Sequence, residues 1–155
     1  MSDKLDVVGI GNAMVDAIIP SNQSEIEKHE INRDSMNLID ENLKNNLHES
    51  YSIREMAGGG SLGNSMFGIT SFGGNGSFIG KIKNDEVGIF LQKDMVREGL
   101  QFPLGFTSPD ISTGCCTIFV EEDGTRTMCT FLGAGTLIGP DRKSTRLNSS
   151  HLLIS

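Results

Sequence analysis

The chain has 155 residues, 37% of them hydrophobic and 21% charged, and a formal net charge of −7. That size and balance fit one globular domain with its own core and exclude a disordered chain. The acidic excess excludes a binder of nucleic-acid backbone, which would repel it, and the longest apolar runs, such as Thr117-Ile118-Phe119-Val120, are too short to cross a bilayer.

Taken in chain order, Leu5 to Ile10 reads as a buried strand entering a Gly-Asn turn, and Ala13 to Ile19 as a second extended segment broken only by Asp16. Ser24 to His29 is polar with helical propensity, and Met36 to Asp40 alternates as a short strand. Asp40 is then placed to cap a helix over residues 41–49. Beyond Gly58-Gly59-Gly60, Asn64 to Ser71 reads as the start of a helix that stops at Gly73-Gly74, and Ser77 to Ile79 as a short strand. Asn84 or Asp85 caps the next helix, whose Val87, Phe90, Leu91 and Met95 fall at helical spacing before Gly99. Last, residues 115–120 and 126–131 flank Asp123-Gly124, a hairpin signal because both turn residues accept positive φ.

Alternating strands and helices predict an α/β fold with a parallel sheet. The hairpin, Ala13–Ile19 and Met36–Ile39 break that alternation, so a second, smaller sheet standing apart is expected. From Arg142 the chain turns basic, Ser-rich and aperiodic, which separates a domain over residues 1–140 from a non-native or disordered tail over 141–155. The first six residues lack the charged-then-apolar order of a signal peptide, so a cytoplasmic protein is expected.

Several residue types carry no chemistry here. Cys115 and Cys116, adjacent on a strand, point to opposite faces and do not share a metal; with Cys129 they read as free buried thiols. The three histidines have no ligand spacing, and no metal site is predicted. Gly9-Ile10-Gly11 begins a dinucleotide fingerprint, but Met14 occupies its third glycine position. Gly74 to Lys81 is not a phosphate loop, because Asn75 stands where its first glycine belongs and Ile82 follows the lysine.

Asp16 is more informative. A carboxylate inside an apolar segment needs hydrogen-bonding partners, and its two oxygens suit a vicinal diol; a strand-end surface aspartate is the plain alternative. Gly58-Gly59-Gly60 leading to Asn64 is the second piece: glycines let main chain approach a ligand, and an asparagine both donates and accepts. An ordinary Gly-rich loop with an N-capping Asn is the plain alternative there.

The ordered series is more specific than its parts. Gly11-Asn12-x-x-x-Asp16, Gly59-Gly60-x-x-x-Asn64, Phe78-Ile79-Gly80-Lys81, Asn84-Asp85-Glu86-x-Gly88, Thr113-Gly114, Glu121 to Met128 and Phe131-Leu132-Gly133-Ala134 together resemble the ribokinase/PfkB carbohydrate kinase family, adenosine-kinase-like and sugar-kinase members above all. The resemblance runs from about Leu5 to Pro140. Leu62, where a small residue is usual, and Met66, where Ser, Thr or Ala is common, depart from the pattern.

The resemblance implies a Rossmann-like core with a small β-sheet lid, in the N-terminal part of a kinase. It implies that Asp16 holds acceptor hydroxyls, that Gly59, Gly60 and Asn64 line the same pocket, and that Asn12 supports it. ATP with Mg²⁺ would donate a phosphoryl group to the hydroxymethyl of a sugar or nucleoside. The family's Gly-Ala-Gly-Asp motif is missing, since Thr136 follows Gly133-Ala134-Gly135, and so is its Asn-x-x-Glu segment. No catalytic residue is therefore assigned; those residues are expected downstream of this chain. The chain by itself is expected to bind weakly, to be inactive, and to fold marginally with a strand edge uncovered. Pairing of two copies through lid strands is a further expectation. A dinucleotide-binding oxidoreductase domain and a non-catalytic sugar- or nucleoside-binding protein are the alternatives.

Overall fold

The structure is a computed structural model that describes residues 4–103, 105–108, 110–139 and 152–154. In chain order it runs β1 (Val7–Ile10), β2 (Met14–Pro20), α1 (Gln23–Glu27), β3 (Met36–Leu38), α2 (Glu41–Ser50), β4 (Glu55–Gly59) and α3 (Ser61–Ser71). It continues with β5 (Gly76–Ile79), β6 (Ile82–Lys83), α4 (Glu86–Arg97), β7 (Phe106–Ser108), β8 (Gly114–Val120), β9 (Arg126–Phe131), a 3-10 turn (Gly133–Leu137) and β10 (Leu152–Ile154). The expected 141–155 tail lies outside the described residues except for β10.

Among the described residues the strands fall into three sheets. A sheet does stand apart as the broken alternation predicts, but with five strands it is larger, not smaller, than the three-stranded parallel sheet, because β4 pairs onto β2 beside the hairpin and β3. Parallel strands β10, β1 and β5 form one, with β1 central; β3-β9-β8-β2-β4 form the second, and β6 and β7 pair separately. Within the second sheet β8 and β9 are the antiparallel hairpin around Asp123-Gly124, where Gly124 takes φ +85°, and β2 lies parallel to β8 and antiparallel to β4. The two strands expected at Leu5–Ile10 and Ser77–Ile79 are neighbours in the first sheet, in register from Val7 opposite Gly76 to Ile10 opposite Ile79. The anticipated caps form: Asp40 accepts from the Leu43 N–H at 2.8 Å and Asp85 from the Gly88 N–H at 2.8 Å.

Strand β2 ties the two halves together. Its odd residues, Val15, Ala17 and Ile19, are buried. Val15 packs with Phe78, Leu91 and Met95 in the core under α3 and α4, whereas Ile19 joins Ile26, Leu47, Phe119 and Cys129 in a second cluster under α1 and α2. A strand interior with one face in both clusters is strongly fixed in register, because a slip by one residue would turn its apolar side chains outward.

Helix α2 carries polar groups into this second region. Lys44 is buried, with its Nζ 3.2 Å from Ser112 Oγ and 5.3 Å from the Phe131 ring centroid. One turn on, His48 Nε2 lies 2.9 Å from Thr117 Oγ1 and 3.9 Å from Cys115 Sγ. Burial first, and the Lys44 charge second, hold the His48 pKa below its ordinary 6.5. The unfolded chain therefore takes up a proton before the folded one, so stability falls as pH drops below about 6.5. Melting at about pH 7.5 and about pH 5.5 checks this: His48→Gln should lose less stability than wild type on acidification. An equal loss in both would remove His48 as the cause.

All three cysteines are free and buried. Burial pushes the Cys115 and Cys129 thiols up to about 12, as expected of structural rather than reactive thiols.

Candidate functional site

The even residues of β2 face the other way, and the register shows what they face. Asp16 pairs laterally with Ala57 of β4 and with Cys116 of β8; Cys116 pairs with Thr130 of β9, and Thr130 with Leu38 of β3. Paired residues share a face, so Ala57, Asp16, Cys116, Thr130 and Leu38 form one row across the sheet. Two residues along, Glu55, Ile18, Ile118, Met128 and Met36 form a second row, roughly 7 Å away at the rise of a strand. This face carries no covering helix at its β3 edge: Met36 is 55% exposed and Leu38 66%. Helices α1 and α2 thus cover one side of the sheet, while the other side is exposed at its β3 edge and buried at Cys116 and Thr130 in the middle of the row.

Asp16 is the charged residue in the first row. It is half-buried, burial pushes its carboxyl pKa up, and it accepts no hydrogen bond among the described residues. Among the described residues Ser21 Oγ is the fully buried side-chain oxygen without a partner, so the Asp16 oxygens stay reachable, and water or a bound hydroxyl can supply the donors that a partly desolvated carboxylate favours. The carboxyl group lies directly against Gly59: a Cβ built on Gly59 would overlap both the Asp16 carboxyl carbon and its oxygens. Any side chain at residue 59 would claim the space that the carboxylate occupies.

Gly60 follows with φ +79°, a conformation that lets β4 turn directly into α3. A Cβ there would come within 3.2 Å of Met14 Cγ and 3.7 Å of the Asn12 carbonyl. Asn12 itself is exposed and packs against the 3-10 turn, its Oδ1 2.9 Å from where a Gly135 Cβ would stand. Asn12, Gly59, Gly60 and Asp16 are therefore drawn together at the root of the face away from α1 and α2. Asn64 joins less closely. Helix α3 begins at Ser61, three residues earlier than the spacing predicts, and Gly60 rather than Asn64 occupies its cap position, without a side-chain cap bond. Asn64 sits one turn in, its N–H on the Gly60 carbonyl at 3.0 Å, with an exposed side chain.

Gly58-Gly59-Gly60, read from sequence as glycines leading into a helix or, in the plain alternative, as an ordinary Gly-rich loop, instead has its first two residues in strand β4 at the sheet edge. Cys116 and Thr130, joined by a 3.3 Å contact between Thr130 Oγ1 and Cys116 Sγ, were not marked by any motif and reach the row through register alone. A cavity of about 270 Å³ opens near this row, walled by Leu38, Ile111, Thr130, Phe131 and Thr136 among others; its walls do not include Asp16 or Asn64. The Gly9–Gly11 turn opens onto strand β2 and not onto a helix N-terminus, so it lacks the geometry of a dinucleotide site. Among the described residues no three His, Cys, Asp or Glu side chains cluster as metal ligands, and no helix is long and apolar enough to span a membrane.

A glycine-rooted α/β core carrying a separate sheet covered by helices on one side is the ribokinase-type fold. The profile described as pfkB family carbohydrate kinase matches residues 5–144. The chain belongs to the pfkB family of carbohydrate kinases. Among solved structures, it is similar to adenosine kinase from Sinorhizobium meliloti (36% identity, TM-score 0.78, covering 88% of this chain and 42% of that one). It is likewise similar to a probable sugar kinase from Rhizobium etli (33% identity, TM-score 0.77, covering 88% and 41%). Adenosine kinase from Schistosoma mansoni, solved with adenosine, shares the fold at 21% identity and TM-score 0.72, covering 87% and 41%. The chain thus spans about two fifths of the length of these relatives. No curated protein sequence matches it.

Proposed function

We propose that the protein carrying this chain transfers a phosphoryl group from ATP to the hydroxymethyl group of a nucleoside or sugar, and that this chain supplies the acceptor-binding side. The observation that carries the proposal is Asp16: a half-buried carboxylate on the sheet face away from α1 and α2, pressed on a glycine and without a donor among the described residues. Two adjacent hydroxyls of an acceptor would satisfy both of its oxygens, with Gly59 and Gly60 allowing close approach of the main chain and Asn64 offering a donor and an acceptor nearby. Asn12 supports the site through its contact with the 3-10 turn.

ATP and Mg²⁺ would supply the phosphoryl group and neutralise its charge when bound. The described residues show no cluster fit to hold the metal, so no step is assigned to them. Pairing of two copies through lid strands would use the exposed β3 edge, where Met36 and Leu38 are uncovered.

Between the two acceptor classes, the second row favours a nucleoside. Ile18, Ile118, Met128 and Met36 present an apolar strip beside the diol-binding carboxylate, and a flat base covers such a strip where a simple sugar does not. The test is ATP-dependent phosphorylation by the intact protein of adenosine against ribose. Adenosine should give the higher kcat/KM; an equal or higher value for ribose contradicts the nucleoside reading, and turnover of neither contradicts the kinase reading.

Gly59→Ala gives an independent check. The added methyl displaces the Asp16 carboxyl, so acceptor affinity should fall about tenfold or more. Combining Gly59→Ala with Asp16→Asn should cost little beyond either single change, because both remove one interaction. Fully additive losses would separate the two residues.

A further inference from the structure

We infer that helix α4 is a splint for the acceptor site, with Asp85 and Asp94 as positioning residues that fix the two strands flanking Asp16. The inference rests on the acceptor reading of Asp16, but its geometry stands apart from that reading. Asp94 is only 5% exposed. One of its oxygens pairs with Arg97, and the other accepts the Gly58 N–H at 2.8 Å. Gly58 belongs to β4, the edge strand of the lid sheet, and precedes Gly59 and Gly60 directly. A buried carboxylate therefore occupies an edge N–H that would otherwise seek water or another strand.

Nine residues earlier on the same helix, Asp85 grips the other neighbour. Its Oδ1 accepts the Gly88 N–H at 2.8 Å and the Thr113 hydroxyl at 2.7 Å, while its Oδ2 accepts the Thr113 N–H at 2.9 Å. The Thr113 hydroxyl in turn accepts the Lys83 N–H at 3.0 Å. Thr113 is fully buried and leads straight into β8. Gly58 pairs with Val15, and Gly114, the residue after Thr113, pairs with Met14, so the two anchors lie on either side of β2 and close to Asp16. Helix capping explains only the Gly88 bond. The bonds to Gly58 and Thr113 leave the helix and end on lid-strand roots, which capping does not require. Bonds to a charged group are stronger than neutral ones, so both struts are suited to hold a position against motion of the lid.

The test is amide hydrogen exchange and acceptor binding in the intact protein, comparing wild type, Asp94→Ala, Asp94→Asn and Thr113→Val. Adenosine and ribose are the probes. Asp94→Ala should raise exchange in β4 and the adjoining part of β2 by about tenfold, leave β1, β5 and β9 within about twofold, and weaken adenosine binding by about tenfold. Asp94→Asn, which keeps an oxygen for the Gly58 N–H, should restore most of both. Thr113→Val should act on β8 in the same local way, and it decides the matter if Asp94→Ala does not fold. A rise in exchange spread evenly over both sheets would reduce the carboxylates to general stabilisers and overturn the inference. So would local loosening without loss of adenosine affinity. If wild type binds neither probe, the acceptor reading falls and the positioning role with it, while the exchange pattern still decides whether α4 holds β4 and β8.

Discussion

Asp16→Asn should weaken acceptor binding by about ten- to a hundredfold, the loss of roughly 1.5–3 kcal/mol expected for hydrogen bonds to a charged group, without lowering the melting temperature. The two halves of that expectation share one cause. Burial raises the Asp16 pKa above its ordinary 3.8, so the folded protein holds this carboxyl less readily in its charged form than the unfolded chain does. A raised carboxyl pKa stabilises the fold below about pH 3.8, and that contribution is lost as pH rises through the folded value. At neutral pH the charge is therefore a burden on the free protein. Asparagine removes the charge, keeps the shape against Gly59, and gives up the strong acceptor. A clear drop in melting temperature would show that Asp16 has a structural partner, and an unchanged affinity would remove it from the acceptor site.

Gly88→Ala should destabilise the fold by about 2 kcal/mol or more, although alanine is the better helix former by about 1 kcal/mol. Gly88 is buried in the first turn of α4. A Cβ there would overlap the Lys83 carbonyl and stand 2.7 Å from Thr113 Oγ1 and 3.1 Å from Asp85 Oδ1. A backbone carbonyl does not move aside as a side-chain end does, so the helix must shift and the Asp85–Thr113 bonds must stretch. Chemical denaturation of wild type and variant checks this. A stabilised Gly88→Ala protein would mean that propensity outweighs the contact and that α4 is not packed this closely on the lid root.

The legible features were those written in local chemistry. Asp40 and Asp85 announced their helices because a carboxylate before an apolar repeat has few other uses, and Asp123-Gly124 announced the hairpin because few residues accept its turn. The existence of a sheet apart from the parallel one followed from strands that did not alternate with helices; its size of five strands did not. Strand β4 was not legible: Glu55-Met56-Ala57-Gly58-Gly59 is poor in β-formers, and it is extended because β2 and α4 claim its two edges. The start of α3 was misplaced for a related reason, since Gly60 turns the chain by its own φ and leaves no capping side chain to read. Within the site, Asp16 stood out as a charge in an apolar strand. Cys116 and Thr130 did not, because their place beside it depends on pairing across three strands. Asn64 was placed near the site by the family resemblance, and the structure sets it one helical turn from Gly60 with its side chain outward.

The most direct measurement is a crystal structure of the intact protein with adenosine bound. The Asp16 carboxylate should accept hydrogen bonds from both ribose hydroxyls, with the main chain of Gly59 and Gly60 against the sugar and the base over Ile18 and Ile118. Adenosine seated elsewhere, or an Asp16 carboxylate bonded to protein groups and turned from the ligand, would contradict the account.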